Sequence, residues 1–73
     1  MFEAKRFLTD KFGSAGGVVA LLGAYGADVP NRAAVDKWFQ RGSIPADWLA
    51  VLLAFLEIED GPVSMINYVR RTT

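Results

Sequence analysis

The stretch NRAAVDKWFQRGSIPA occupies residues 31–46 and decides the fold. Its apolar residues recur three and four positions apart, as on one side of a helix, at Ala34, Val35, Trp38 and Phe39. The residues left for the opposite, outward side are Arg32, Asp36, Lys37 and Gln40. Gly42 is typical of a helix C-terminus, and Pro45 of the first turn of a following helix. The stretch therefore predicts a third helix from about Asn31 to Arg41 and the start of a fourth.

Two helices are predicted before this stretch. The first has helical apolar spacing from Phe2 to Phe12 and ends at Gly13. The second begins after Ser14, a residue that can cap a helix, runs toward Tyr25 and is closed by Gly26. Residues 27–31 then form a connector, in which Asp28 is a candidate cap for the third helix.

The fourth helix is predicted from about Ala46 to Ile58. It is apolar almost all round, so more than one of its sides must be covered. Residues 60–62 break it, and residues 63–69 fit either a short helix or a short strand, because their periodicity does not distinguish the two. The sequence thus predicts one compact all-α domain of four to five helices spanning residues 1–73, with a C-terminal helix or strand that could serve dimerisation.

The amino-acid composition excludes several classes of function. The 73 residues include no Cys and no His, which removes disulfides, thiolate chemistry, imidazole bases and the usual zinc ligands, and we expect no metal and no cofactor. Apolar residues make up 52%, enough for a packed core. No apolar run is long enough to cross a bilayer, and the first residues lack the pattern of a signal peptide. We therefore expect a cytoplasmic protein without membrane contact.

Charge is balanced in number but not in position. Eight basic and eight acidic residues cancel, which counts against nucleic acid because DNA-binding proteins use Lys and Arg at phosphates. Residues 45–60, however, hold four acids and no base, whereas residues 1–44 hold six bases and four acids, and Arg70 and Arg71 follow in the tail. A protein with its positive charge on one side can still bind DNA, with a modest electrostatic contribution.

Val35 and Trp38, followed by Gly42-Ser43-Ile44-Pro45-Ala46, carry a family resemblance. They resemble the helix-turn-helix of phage Cro-like and related small repressors, whose recognition helix often ends in Val-x-x-Trp before a Gly-x-Ile-Pro turn. The resemblance covers roughly residues 14–56, with a helix-turn-helix core at about 14–42. The chain departs from the family in a longer connection between Gly26 and Val35.

The resemblance implies that Val35 and Trp38 face the core and that the third helix enters the major groove of an operator. Side chains suited to base edges are Arg32 for guanine, Asn31 for adenine unless it caps the helix, and Ala33 for a thymine methyl. Asp36 could accept from cytosine, but an ion pair with Arg32 is the reading we favour. The residues placed at phosphates are Lys37, Gln40, Arg41 and, through backbone amides at the start of the second helix, Ser14.

Several features have simpler readings. Trp38 and Trp48 could stack on bases, but both lie at apolar positions of helices, which favours the core. Residues 13–17 are rich in glycine, yet no Lys-Ser or Lys-Thr follows them, so they predict a turn and not a P-loop.

Surplus apolar surface on the fourth helix and the tail predicts a homodimer, because Cro-like domains pair to read two half-sites. The alternative is that the same residues complete the core of a monomer. The residues concerned are Leu53, Phe55, Leu56, Ile58, Met65, Ile66 and Tyr68.

The functional expectation is a sequence-specific regulator that binds double-stranded DNA, a repressor of phage or prophage type. The alternative is a phage-encoded module that keeps the scaffold but binds and inhibits a host protein, which zero net charge and an apolar fourth helix would suit. Catalysis finds little support, since Glu57 and Glu59 point to different sides of a helix and no convergent set of ionisable groups is evident. We expect no enzyme.

Overall fold

Four α-helices and a short 3₁₀ helix make up the computed structural model, which describes residues 1–26, 28 and 30–70. The α-helices are α1 (Ala4–Phe12), α2 (Ala15–Ala24), α3 (Arg32–Arg41) and α4 (Ala46–Asp60), and the 3₁₀ helix is Met65–Tyr68. The predicted all-α class is confirmed. The predicted connector positions Ala27 and Val29, and the basic residue Arg71, lie outside the described residues.

The two ends of the described chain pair with each other. Phe2 forms an isolated antiparallel bridge with Val69, and the Glu3 backbone N–H donates to the Tyr68 carbonyl at 2.6 Å. This pairing keeps Phe2 and the Glu3 backbone outside the helix, so α1 begins at Ala4 and not at Phe2. The final segment therefore combines both predicted alternatives, a short helix followed by a paired extended residue.

The turn between α1 and α2 depends on close backbone approach. Gly13 ends α1 with φ +79°, a conformation that favours glycine, and Ser14 takes the N-cap position of α2. The Ser14 side chain makes no capping hydrogen bond, although its carbonyl accepts from Gly17 N–H at 3.0 Å. A Cβ on Gly17 would overlap the carbonyl oxygen of Phe12. Only glycine therefore lets α2 follow α1 this closely.

The hydrophobic core is formed by apolar side chains from each of the four α-helices. Its fully buried members are Phe7, Leu8, Val18, Leu22, Val35 and Leu52. Helix α3 packs against both α1 and α2, whereas α4 packs against α2. Trp38 is 7% exposed and lies 6.1 Å from the half-buried Trp48, centroid to centroid, so the core reading of the two tryptophans is confirmed.

Helix α4 contributes both buried and half-buried side chains to the core. Leu52 and Leu56 are its buried residues, and its remaining large apolar side chains are half-buried or exposed. Tyr25, at the C-terminal end of α2, links α2 to α4. Its ring stacks on that of Phe55 with 4.7 Å between the ring centroids, and its hydroxyl donates to Glu59 at 2.6 Å. The expectation that a helix this apolar is covered on more than one side is confirmed in part, because five further apolar side chains of α4 are half-buried against the core while Ile58 is exposed.

The residues proposed for dimerisation fall into three groups. Leu56 (3% exposed) and Tyr68 (8%) belong to the core, so for these two the structure corrects the expectation of a contact surface. Tyr68 is buried by α1, with its ring 5.5 Å from that of Phe7. The half-buried members pack against the core and are Leu53, Phe55 and Met65. The exposed members are Ile58 and Ile66.

Among the described residues, no helix combines the length and apolar character needed to span a bilayer.

We predict that Gly17→Ala lowers the melting temperature by several degrees, while Gly16→Ala raises it or leaves it unchanged. Overpacking costs about 1–3 kcal/mol, which outweighs the gain of about 1 kcal/mol that alanine brings to a helix. A Cβ on Gly16 would meet its nearest neighbour, Ser14 Oγ, at an ordinary 3.6 Å. Thermal unfolding followed by circular dichroism measures both variants, and equal melting temperatures would contradict the packing described at Gly17.

Candidate nucleic-acid interface

The outward side of α3 is exposed from its first residue to its last. Val35 and Trp38 are buried on the inward side, as the family resemblance implies. The outward residues are all exposed and comprise Arg32, Ala33, Asp36, Lys37, Gln40 and Arg41. With three cations and one carboxylate, this surface is positive although the whole chain is neutral.

Asn31 caps α3. Its side-chain Oδ1 accepts a hydrogen bond from the Ala33 backbone N–H at 2.8 Å, which satisfies one of the amides that a helix start leaves unpaired. Of the two roles predicted for Asn31, adenine pairing and capping, the structure shows the cap. The expectation of a cap at Asp28 is wrong, because α3 begins at Arg32 and its N-cap residue is Asn31.

The starts of α2 and α3 lie side by side. A Cβ on Gly16 would be 3.7 Å from Nη2 of Arg32 and 3.6 Å from Oγ of Ser14, so these two side chains lie close to the same glycine. The first amides of α2 are among those that an α-helix cannot pair internally. The arrangement places one guanidinium and one hydroxyl beside the start of α2, and guanidinium, hydroxyl and helix-start amide groups all bind phosphate oxygens.

Sequence reasoning missed the part played by Gly16. It treated residues 13–17 as a turn and paired Arg32 with Asp36 along α3. The ion pairs among the described residues are Arg6–Glu3 at 2.9 Å and Arg70–Glu3 at 3.5 Å, so the expectation of an Arg32–Asp36 pair is wrong. Arg32 lies at the helix start and reaches the neighbouring helix instead, and a cation placed before an acid is the weaker order for an i, i+4 pair.

The C-terminal end of α3 borders a cavity of about 330 Å³. Gly42 ends the helix in the left-handed conformation, with φ +67°, and its N–H donates to the Trp38 carbonyl at 2.9 Å. This turn leads the chain back so that Ile44 and Pro45 lie near Trp38. The cavity residues are Ala34, Lys37, Trp38, Arg41, Ser43, Ile44 and Pro45.

The acidic residues lie at the other end of α4. Glu57, Glu59 and Asp60 are all exposed there, as the sequence predicts for a solvated end. The hydrogen bond that Tyr25 donates to Glu59 raises the pKa of the tyrosine hydroxyl, and its partial burial and the nearby carboxylates act in the same direction. The charges therefore separate into a positive α3 surface and a negative end of α4.

The basic residue Arg6 has a structural role. Its guanidinium pairs with Glu3, donates to the Asn67 carbonyl and lies 5.3 Å from the centre of the Tyr68 ring. Since these contacts tie α1 to the C-terminal segment, Arg6 belongs to the clasp between the chain ends and not to the α3 surface.

Comparison of the chain with protein-family models, with curated proteins and with solved structures finds no match.

We predict that Asn31→Ala lowers the free energy of unfolding by about 1 kcal/mol, because an unpaired amide at the start of α3 replaces the cap. Asn31→Asp should keep full stability, since aspartate caps as well and its charge suits a helix N-terminus. Urea unfolding of the three proteins measures this difference. Equal losses for the two variants would show that the side-chain amide has another structural partner.

Proposed function

We propose that this protein binds double-stranded DNA in a sequence-specific manner, with α3 in the major groove, and regulates transcription as Cro-like repressors do. The observation that carries the proposal is the exposed, positive outward side of α3, whose first residue lies beside the start of α2. The major groove is about 12 Å wide and admits one α-helix. A helix with one buried and one exposed side can therefore enter it without unfolding the core.

Arg32 and Ala33 are the proposed base-reading residues. Recognition helices of this type contact base edges through their N-terminal residues, and both side chains lie in the first turn of α3. The Arg32 guanidinium can donate two hydrogen bonds to guanine O6 and N7. With its pairing to Arg32 excluded, Asp36 is available to accept from a cytosine amino group one turn further on. Asn31 contributes indirectly to base recognition, because its cap fixes the first turn of α3, which carries Arg32 and Ala33.

Lys37, Gln40 and Arg41 are the proposed phosphate contacts. They lie further along the same exposed side, and phosphate contacts position a protein on the duplex without reading its sequence. Ser14 and the first amides of α2 offer a contact to a second phosphate, next to Arg32. Phosphates on both sides of the reading residues would fix the direction of α3 in the groove.

The acidic end of α4 supports an orientation. Glu57, Glu59 and Asp60 would be repelled by the phosphate backbone, so this end should point away from DNA. A regulator of this kind reads two half-sites about 34 Å apart when two copies bind together. Homodimeric binding at an operator is therefore part of the proposal.

We predict that Arg32→Ala and Lys37→Ala weaken DNA binding in different ways. Arg32→Ala should cost about 1–3 kcal/mol on a duplex enriched from a random pool and relax the preference at one base pair. Lys37→Ala should weaken binding to enriched and unselected duplexes alike and reduce the slope of log K against log salt by about 0.9. Fluorescence anisotropy titrations over a range of salt concentrations give both quantities.

Lys11→Ala is the matched control, because Lys11 is an exposed cation of α1 that shares a surface groove with Glu59 and Asp60 and is not part of the α3 surface. It should leave both affinities and the salt slope unchanged. If the three variants behaved alike, the charge of the chain and not the α3 surface would govern binding. If the unmodified protein bound no duplex even at low salt, the protein-binding alternative would replace this proposal.

A further inference from the structure

Ile58 is, after Met1, the most exposed large apolar residue that the structure describes. Its side chain is 65% exposed in the last part of α4, although a large aliphatic group gains free energy when it leaves water. The exposed carboxylates Glu57 and Glu59 flank it on either side of the helix, and Asp60 follows. The result is a protruding apolar side chain surrounded by negative charge, which we call the acidic knob (residues 57–60).

The cavity at the end of α3 has the opposite character. Its inner surface includes the apolar side chains of Trp38, Ile44 and Pro45, and its two charged residues are Lys37 and Arg41. Both cations are exposed and stand one helical turn apart. We call this feature the basic cavity; its volume of about 330 Å³ can admit an aliphatic side chain.

Helix α4 separates the two features within one chain. Pro45, a residue of the basic cavity, is the N-cap of α4, while Ile58 lies near the C-terminus of the same helix. The twelve residue-to-residue steps from Ala46 to Ile58 span about 18 Å at 1.5 Å per step. Ile58 therefore cannot fill the cavity of its own chain, although it could enter the cavity of a second copy.

The charges favour a second copy as that occupant. The three carboxylates of the knob, near which Lys11 also lies, would meet the two cations of the cavity. The dipole of α4 also favours the contact between two copies, because its positive end lies at the cavity and its negative end at the knob. The acidic residues Asp36, next to Lys37 in α3, and Asp47, in the first turn of α4, do not line the cavity.

We propose that the protein self-associates by inserting the acidic knob of one copy into the basic cavity of another. The contact joins unlike patches, so it can close reciprocally in a two-fold dimer or continue from copy to copy. The contact does not rest on the proposed function, since neither patch needs a nucleic acid to complete it, but it would compete with DNA for Lys37 and Arg41. Raising the salt concentration should weaken the contact, because its charged rim is exposed to solvent.

Sedimentation velocity of two defective variants tests the contact. Ile58→Ser removes the apolar knob and leaves the cavity intact, whereas the double variant Lys37→Glu, Arg41→Glu reverses the cavity charge and leaves the knob intact. All three positions are exposed, so the fold should survive, which circular dichroism checks. Each variant alone should raise the dissociation constant of self-association by about tenfold or more, the scale expected for a central anchor.

Mixing the two variants is the decisive step. The intact knob of the double variant can enter the intact cavity of Ile58→Ser, so the mixture should form a dimer that neither variant forms alone. No such dimer in the mixture would overturn the proposal, as would an unmodified protein that stays monomeric at millimolar concentration. Normal self-association of the double variant alone would also overturn it, since the contact would then join like surfaces along α4.

Discussion

Burial of one side of α3 is the constraint on which the rest of the structure depends. Val35 and Trp38 are the residues that α3 commits to the core, and α1 and α2 supply the surfaces against which they pack. Fully burying a side chain of this kind contributes about 1.5–3 kcal/mol, a large share of the stability available to a domain of this size. The same packing turns the polar side of α3 outward, so the core that stabilises the fold also creates the candidate DNA-binding surface. The glycine at position 17 brings α1 and α2 close enough to form that core.

The helices were predictable because local physics specifies them. Glycines at 13 and 42 end α1 and α3 with positive φ, and helical spacing of apolar residues marks the inner side of each amphipathic helix. Helix α4 shows where this reasoning fails. It is apolar almost all round, so its periodicity could not tell that Leu56 is buried and Ile58 exposed. Contacts between distant parts of the chain could not be predicted either. The clasp that buries Tyr68 joins the two ends of the described chain. Arg32 lies against α2, whereas sequence spacing predicts contacts only within α3.

The positive α3 surface is central to both proposals. Lys37 and Arg41 would contact phosphates in one and receive an acidic knob in the other, so the two interactions would exclude each other at the same pair of side chains. Self-association would therefore reduce the amount of protein that is free to bind DNA. Phosphates and carboxylates compete for lysine and arginine by the same electrostatic attraction, and both interactions should weaken as salt rises.

The most direct test of the central claim is selection of bound sequences from a random pool of short duplexes, at low and at moderate salt, by the purified protein. The account predicts enrichment of a short motif, repeated as a palindrome with half-sites about one helical turn apart when two copies bind together. It also predicts loss of preference at a single base pair when Arg32 is replaced by alanine. Failure to retain any duplex at low salt, or retention without sequence preference, would contradict α3 as a recognition helix.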